Sequence, residues 1–241
     1  MMNKKRQFIL AVVSVVLLTA IVAGLIYLFC YYIPQNKQKE EIMAQMQAYY
    51  ESKITLYEQE NAEYKPYEID IAFLGDSLTD GYDIEKYYPE YSVKNRGIGG
   101  DTTHGLWARL KVSVYDLKPK VIVMLIGANN FRTMFENYED IVVGIKENLP
   151  DTHLIICSLT SMGGEWGRNN QLAAYNNVKI KAIAEKYGCP FVDLFTALLN
   201  TETDEIYKHY TTDGGHLTSE GYNVLTECIK PVVDEILKNS K

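Results

Sequence analysis

The chain is poor in the residues that most often advertise a function. Its 241 residues hold four cysteines, Cys30, Cys157, Cys189 and Cys228, with neither the close pairing of a zinc site nor the density of a disulfide scaffold. They read as buried or membrane-embedded thiols. Positive charge is in deficit: 24 Lys plus Arg face 31 Asp plus Glu, a formal charge of -7. No basic field exists to hold a phosphate backbone, so nucleic acid is excluded as a partner. Only four histidines occur, and no His pair or carboxylate cluster stands at ligand spacing, so neither a metal nor another cofactor is implied. Internal repeats and low-complexity tracts are missing. With 47% hydrophobic and 23% charged residues, disorder and collagen-like structure are excluded as well. The length suits one catalytic domain with an appendage.

Charge is also missing locally. Phe8 to Ile33 is a run of 26 uncharged residues, preceded by Lys4, Lys5 and Arg6 and closed by Pro34. At about 1.5 Å per residue a helix of this length reaches roughly 39 Å, more than the ~30 Å of a bilayer core. A cleavable signal is the alternative, with small residues at Val22-Ala23-Gly24, but the apolar run continues through Leu25 to Phe29 where cleavage should free a polar end. Phe29 stands where a lipobox cysteine would need a small residue before it, so Cys30 is not expected to carry lipid. The basic residues ahead of the span favour a cytoplasmic tail at 1–7, with 8–33 crossing the membrane and the remainder outside. Residues 34–66 lack glycine, are rich in Gln, Glu, Lys and Tyr, and predict a helical stalk. A coiled-coil seam there would be interrupted by Lys53 and Glu60.

From residue 67 to 241 short apolar runs alternate with amphipathic segments. Strands are expected at Ile69–Leu74, Tyr91–Lys94, Val121–Ile126, Leu154–Ser158 and Pro190–Leu194, and helices near 102–116, 137–148, 170–187 and 219–238. The run Val121–Ile126 is apolar throughout, as in a strand covered on both faces. This alternation predicts an α/β domain: a three-layer sandwich around a parallel sheet, with its chemistry at the strand exits.

Four exits carry unusual residues. GDSLTDGY (75–82) places the Ser77 hydroxyl in a tight glycine-flanked turn. NRGIGGDTT (95–103) is a Gly-rich loop running into a helix, where backbone N–H groups can meet an anion. IGANN (126–130) puts two amides at the mouth of an apolar strand. TTDGGH (211–216) sets Asp213 three residues before His216, close enough for the carboxylate to orient the imidazole. Taken singly, each is equally well a turn or a helix cap.

Together and in this order they resemble the SGNH hydrolases, the GDSL esterase and lipase family, over about residues 67–238. The resemblance implies a flavodoxin-like sheet of five parallel strands. It implies Ser77 as nucleophile, His216 as base and Asp213 as its orienter, with an oxyanion hole formed by the N–H groups of Ser77 and Gly100 and the amide of Asn129. Two positions depart from the family pattern: Ala128, where many members have Gly, and Asn130, where Asp is frequent. The Gly-x-Ser-x-Gly turn of the other large esterase fold is absent, since Thr79 occupies its second Gly. His104, His153 and His209 lack comparable partners and are read as surface or capping residues.

The expected activity is hydrolysis of short acyl esters, acetyl foremost, on a glycan outside the cell. Tyr82, Trp107, Arg132, Trp166 and Arg168, with Gly163 and Gly164, are candidates for substrate contact, ordinary packing being the alternative. Lysophospholipase or thioesterase action, acyl transfer to a glycan with a membrane partner, and an inert binding module are competing expectations. Oligomeric state is not fixed by the sequence.

Overall fold

The computed structural model describes residues 3–239. Met1 and Met2, the start of the expected cytoplasmic tail, and Ser240 and Lys241, the end of the expected catalytic domain, lie outside the described residues. The chain divides into two compact units, one ending at Ser52 and the other beginning at Lys53.

The first unit is helical. Helix α1 (Lys4–Tyr27) is capped by the Asn3 side chain, passes through a π-turn at Leu28–Tyr32, and is followed by α2 (Ile33–Glu63), whose residues from Lys53 onward belong to the second unit. The apolar side chains of α1, among them Phe8, Leu17, Leu18 and Ile21, stay exposed. This helix is long and apolar enough to cross a membrane, a property that a signal sequence shares.

The second unit holds the sheet. Its elements are β1 (Ile71–Gly75), α3 (Ser77–Asp80), α4 (Ile84–Tyr87), β2 (Val93–Gly97), α5 (Thr103–Ala108), β3 (Val121–Leu125), α6 (Tyr138–Asn148), β4 (His153–Cys157), α7 (Gly164–Gly167), α8 (Asn170–Lys186), β5 (Phe191–Val192), α9 (Leu194–Leu198) and α10 (Ser219–Asn239). The sheet order is β2-β1-β3-β4-β5, parallel throughout, with Ile71 level with both Val93 and Val121. A five-stranded parallel sheet between helical layers is the architecture anticipated from the alternation of short and amphipathic segments. Three strands shift by two residues at an end, the first beginning at Ile71 instead of Ile69. The second strand runs from Val93 to Gly97, two residues later than its apolar stretch, because pairing with β1 carries it through the polar Lys94-Asn95-Arg96 to Gly97. The fifth shrinks to two residues, since it pairs with β4 only at Phe191 and Val192.

Strand pleating explains the apolar runs. In β3, Ile122 and Met124 enter one core layer with Leu106, Ile141, Ile145, Ala173 and Ile180 of the helices on that side. Val121, Val123 and Leu125 enter the other layer, against Leu225, Ile229, Val233 and Leu237 of α10. These four stand at i, i+4, i+8 and i+12, one stripe of a helix. Of the thiols, Cys157 and Cys189 are buried, Cys228 is half-buried and Cys30 is exposed.

The chain leaves β1 toward β2 on one side and then crosses back to β3 on the other. Loops after β1, β2 and β3 therefore splay apart at the carboxyl edge of the sheet, the place where open α/β sheets form a crevice. Ser77 opens α3 at the first of these exits, and Gly100 and Asn129 lie on the other two.

Replacing the fully buried Ile122 with Ala removes methyl groups from a packed layer. Guanidinium unfolding followed through the fluorescence of the chain's two tryptophans, Trp107 and Trp166, is expected to show a loss of about 3 kcal/mol.

Candidate active site

Ser77 is the first residue of α3. Asp76 caps that helix, accepting the Leu78 N–H at 3.1 Å, and is itself 1% exposed. Burial pushes the Asp76 carboxyl up to about 7, helped by the nearby Asp101 charge and opposed by N–H donation from Leu78 and Gly127. The second loop turns at Gly100, whose φ of 78° lies in the left-handed region that a side chain would strain.

The third loop reaches across to the second. Asn129 Nδ2 donates to the Asp101 carbonyl at 2.8 Å, and Asn130 makes a two-way contact with Thr103, accepting its N–H at 3.3 Å and donating to its Oγ1 at 2.9 Å. Asn130 therefore fixes the start of α5 with its amide head, an arrangement that needs both a donor and an acceptor.

In the fourth loop His216 Nδ1 lies 2.8 Å from Asp213 Oδ2, while Asp213 Oδ1 accepts the N–H groups of Gly215 and His216 at 2.9 and 2.8 Å. Those hydrogen bonds, first the His216 N–H and then its ring, hold the Asp213 carboxyl down at about 2 although it is half exposed. Such a carboxylate is ionised at neutral pH and can fix one imidazole tautomer. Gly214 lets this loop meet the one after β4: at its φ of 91° a Cβ would stand 2.1 Å from the Gly163 carbonyl, and Gly163 N–H donates to Gly214 O at 2.8 Å.

Ser77, Asn129 and His216 line one pocket of about 60 Å³ with Leu78, Ala128, Thr160, Met162, Trp166 and Gly215. The arrangement offers a hydroxyl, an imidazole with an ionised partner and an amide donor around a small, largely apolar space, the set of groups that acyl transfer to serine requires. A buried arginine holds the loops around this pocket together. Arg109, 2% exposed, donates from Nε to Asp101 Oδ2 at 2.7 Å, from Nη1 to Arg96 O and Ser113 Oγ at 3.0 and 2.8 Å, and from Nη2 to Gly75 O at 2.9 Å. Its sequence signal was faint: one arginine in an otherwise apolar stripe of Leu106, Leu110 and Val114.

Among the proposed substrate contacts, Trp166 alone is in the pocket, its indole against Gly215, where a Cβ would come within 3.2 Å of it. Tyr82 is 4% exposed and packs among Phe73, Tyr88 and Tyr222, so it belongs to the core. Trp107, with His104 beside it at 6.4 Å, and the exposed Arg132 and Arg168 do not line the pocket. Gly163 contributes through its bond to Gly214 instead of touching a ligand space. His104, His153 and His209 are all exposed.

The model of the GDSL-like lipase/acylhydrolase family matches residues 73–224. The chain belongs to this family. It is accordingly a carboxylic ester hydrolase. The α2 subunit of platelet-activating factor acetylhydrolase IB from Rattus norvegicus is 30% identical over 187 residues, which cover 73% of this chain and 81% of that one. A GDSL-like lipase of Bacteroides thetaiotaomicron superposes with a TM-score of 0.67 at 25% identity, covering 76% of this chain and 97% of the other. Axe2, an acetylxylan esterase from Geobacillus stearothermophilus, shares the fold at a TM-score of 0.57 and 22% identity, over 70% and 95% of the two chains.

The buried Asp76 makes a pH prediction. Its folded-state pKa stands above the unfolded value of about 3.9, so folding favours the protonated form; the stability this contributes is complete below pH ~4 and is lost as pH rises through about 7. Unfolding midpoints of Asp76→Asn, measured from pH 4 to 8, should therefore decline less over that interval than those of the parent protein; equal declines would refute the assignment.

Proposed function

We propose that this chain is a membrane-tethered serine esterase that removes acetyl or similarly short acyl groups from carbohydrate alcohols on the outer side of the membrane. The observation that carries the reading is the pocket of about 60 Å³ that Ser77, Asn129 and His216 share, which sets a hydroxyl, an imidazole and an amide donor around one small space and favours a short acyl group. The acetylhydrolase relatives support the acyl length. The exposed Trp166 beside His216 supports a sugar on the alcohol side, since an indole face suits the apolar face of a pyranose, and an acetylxylan esterase shares the fold. Lys4, Lys5 and Arg6 before the apolar helix support an outward-facing catalytic unit.

In this reading His216 takes the Ser77 proton as Oγ attacks the acyl carbonyl, and Asp213 stabilises the imidazolium that forms. Negative charge gathers on the carbonyl oxygen. It is met by the N–H groups of Ser77 and Gly100 and by the Asn129 amide, which spends one of its two donors on Asp101 O and keeps the second for substrate. Each such donor contributes about 3 kcal/mol to transition-state stabilisation. His216 then returns its proton to the departing alcohol. Water, activated by the same imidazole, releases the acid and restores Ser77. His216 is half exposed, so water reaches it without a channel.

With p-nitrophenyl esters, acetate should be cleaved faster than butyrate and octanoate hardly at all. Ser77→Ala should lower kcat by about three orders of magnitude or more, and Asn129→Ala by roughly 100-fold. A preference for octanoate would transfer the reading to lysophospholipid or thioester substrates.

The alcohol is tested separately, by acetate release from acetylated xylo-oligosaccharides and from a 2-acetyl glycerophospholipid. Faster release from the sugar is expected. Faster release from the lipid overturns the carbohydrate assignment, and acetate appearing on an added sugar instead of in water identifies a transferase.

A further inference from the structure

Lys53 and Glu60, the residues that break a coiled-coil seam in the stalk, have their partners in the catalytic unit. Lys53 Nζ lies 2.6 Å from Asp80 Oδ1, a pair in which both side chains are largely shielded, and Asp80 Oδ2 accepts the Gly99 N–H at 3.0 Å. Tyr57 is fully buried. It donates its hydroxyl to the Gly97 carbonyl at 2.7 Å, and the Arg96 guanidinium sits 4.5 Å above its ring. Glu60 pairs with Arg96 and with Lys94, and Asn61 accepts from Arg96 Nη2 at 2.9 Å and donates to Val112 O at 2.6 Å.

Lys53, Tyr57, Glu60 and Asn61 stand at i, i+4, i+7 and i+8, so one stripe of α2 makes all these contacts. Two of them reach the exit of β2, Tyr57 at Gly97 and Lys53 through Asp80, three residues beyond Ser77, while Glu60 and Asn61 hold the Lys94 and Arg96 side chains of β2 itself. That exit, Gly97-Ile98-Gly99-Gly100, contains three glycines in four residues, a backbone with little stiffness of its own. Tyr57 fixes the carbonyl at its start, and Lys53, acting through Asp80, fixes the N–H one residue before Gly100.

We propose that Tyr57 and Lys53 are positioning residues for the oxyanion loop, which makes the last turns of the membrane-proximal helix a working part of the catalytic site. The proposal rests on the reading of Gly100 as an oxyanion donor. Neither side chain touches substrate; each acts through the backbone it holds. A donor displaced by a fraction of an ångström stabilises the tetrahedral intermediate less while leaving ground-state binding alone, so kcat should carry the effect and KM should not.

The test uses the full chain in detergent micelles, with p-nitrophenyl acetate as substrate and a fluorophosphonate as a covalent probe of Ser77. Tyr57→Phe and Lys53→Met should each lower kcat and the rate of Ser77 labelling by roughly five- to tenfold at unchanged KM. Lys53→Arg should recover at least half of the loss, and Glu58→Gln, an exposed charge on the same helix, should change nothing. Near-UV circular dichroism at the assay temperature reports the folded fraction. If Tyr57→Phe does not fold, Lys53→Met decides. Folded variants with parental kcat, or losses that only track the unfolded fraction, overturn the proposal while a labelled parental Ser77 leaves the serine mechanism standing. An unlabelled parental Ser77 together with an active Ser77→Ala overturns both.

Discussion

The site hangs on one buried ion pair. Arg109 and Asp101 have side chains 1% and 5% exposed, so their charges have given up nearly all hydration, and the remaining guanidinium donors are spent on backbone carbonyls and one hydroxyl. Those carbonyls are chosen by position: Gly75 O ends the strand that delivers Ser77, and Arg96 O lies at the end of the strand that delivers Gly100. Asp101 follows Gly100 directly and receives the Asn129 amide on its own carbonyl. One cation thus sets the relative height of three loops on three strands. A buried pair of this kind offers little net stability over apolar packing, but removing either partner strands the other, and that asymmetry keeps the loops in one arrangement.

The aspartates beside Ser77 and His216 show environment deciding protonation. Asp213 is half exposed yet held at about 2, because two backbone N–H groups and the His216 ring favour its ionised form. Asp76 is sealed from solvent and pushed up to about 7, because burial outweighs the N–H donors it accepts. The exposed carboxylate is therefore the one fit to orient an imidazole, and the buried one to cap α3 and set the angle at which Ser77 enters the pocket. Two residues of one type serve unlike ends because one is sealed from solvent and the other is held ionised by hydrogen bonds.

The sheet was legible because its signals are local. Fully apolar strands such as Val121–Ile126 and the stripe Leu225, Ile229, Val233, Leu237 follow from burial on both faces of a parallel sheet and on one face of a helix. Strand β2 was misplaced by two residues since its Asn95 and Arg96 are polar; Asn95 faces the backbone of the turn after Ser77, donating to Thr79 O, Asp80 O and Tyr82 O, which hydropathy does not encode. The four-block pattern placed Ser77, Asn129 and His216 at one pocket for the same local reason, as glycines and short polar residues at strand exits are read directly. For Tyr82, a candidate substrate contact with packing as the alternative, the structure shows packing: its ring completes the tyrosine cluster under α10.

What stayed hidden was long-range pairing. Tyr57 reaches Gly97 across 40 residues and Arg109 reaches Gly75 across 34. In sequence Tyr57 is one of several tyrosines along a polar helix, while Lys53 and Glu60 read as solvated charges. Their meaning appears only when the partner is seen, since a charge on a helix face is inert in water and specific when its counter-charge is half-buried opposite it. A boundary placed by composition at residue 66 separates Lys53, Tyr57 and Glu60 from the loop they hold; a boundary placed by contact falls before Lys53. The three glycines of the segment after β2 leave it unable to hold its own shape, so rigidity has to be supplied from outside it. Arg109, directly after α5, binds Asp101 and the Arg96 carbonyl, and Tyr57 and Lys53 of α2 reach Gly97 and Asp80.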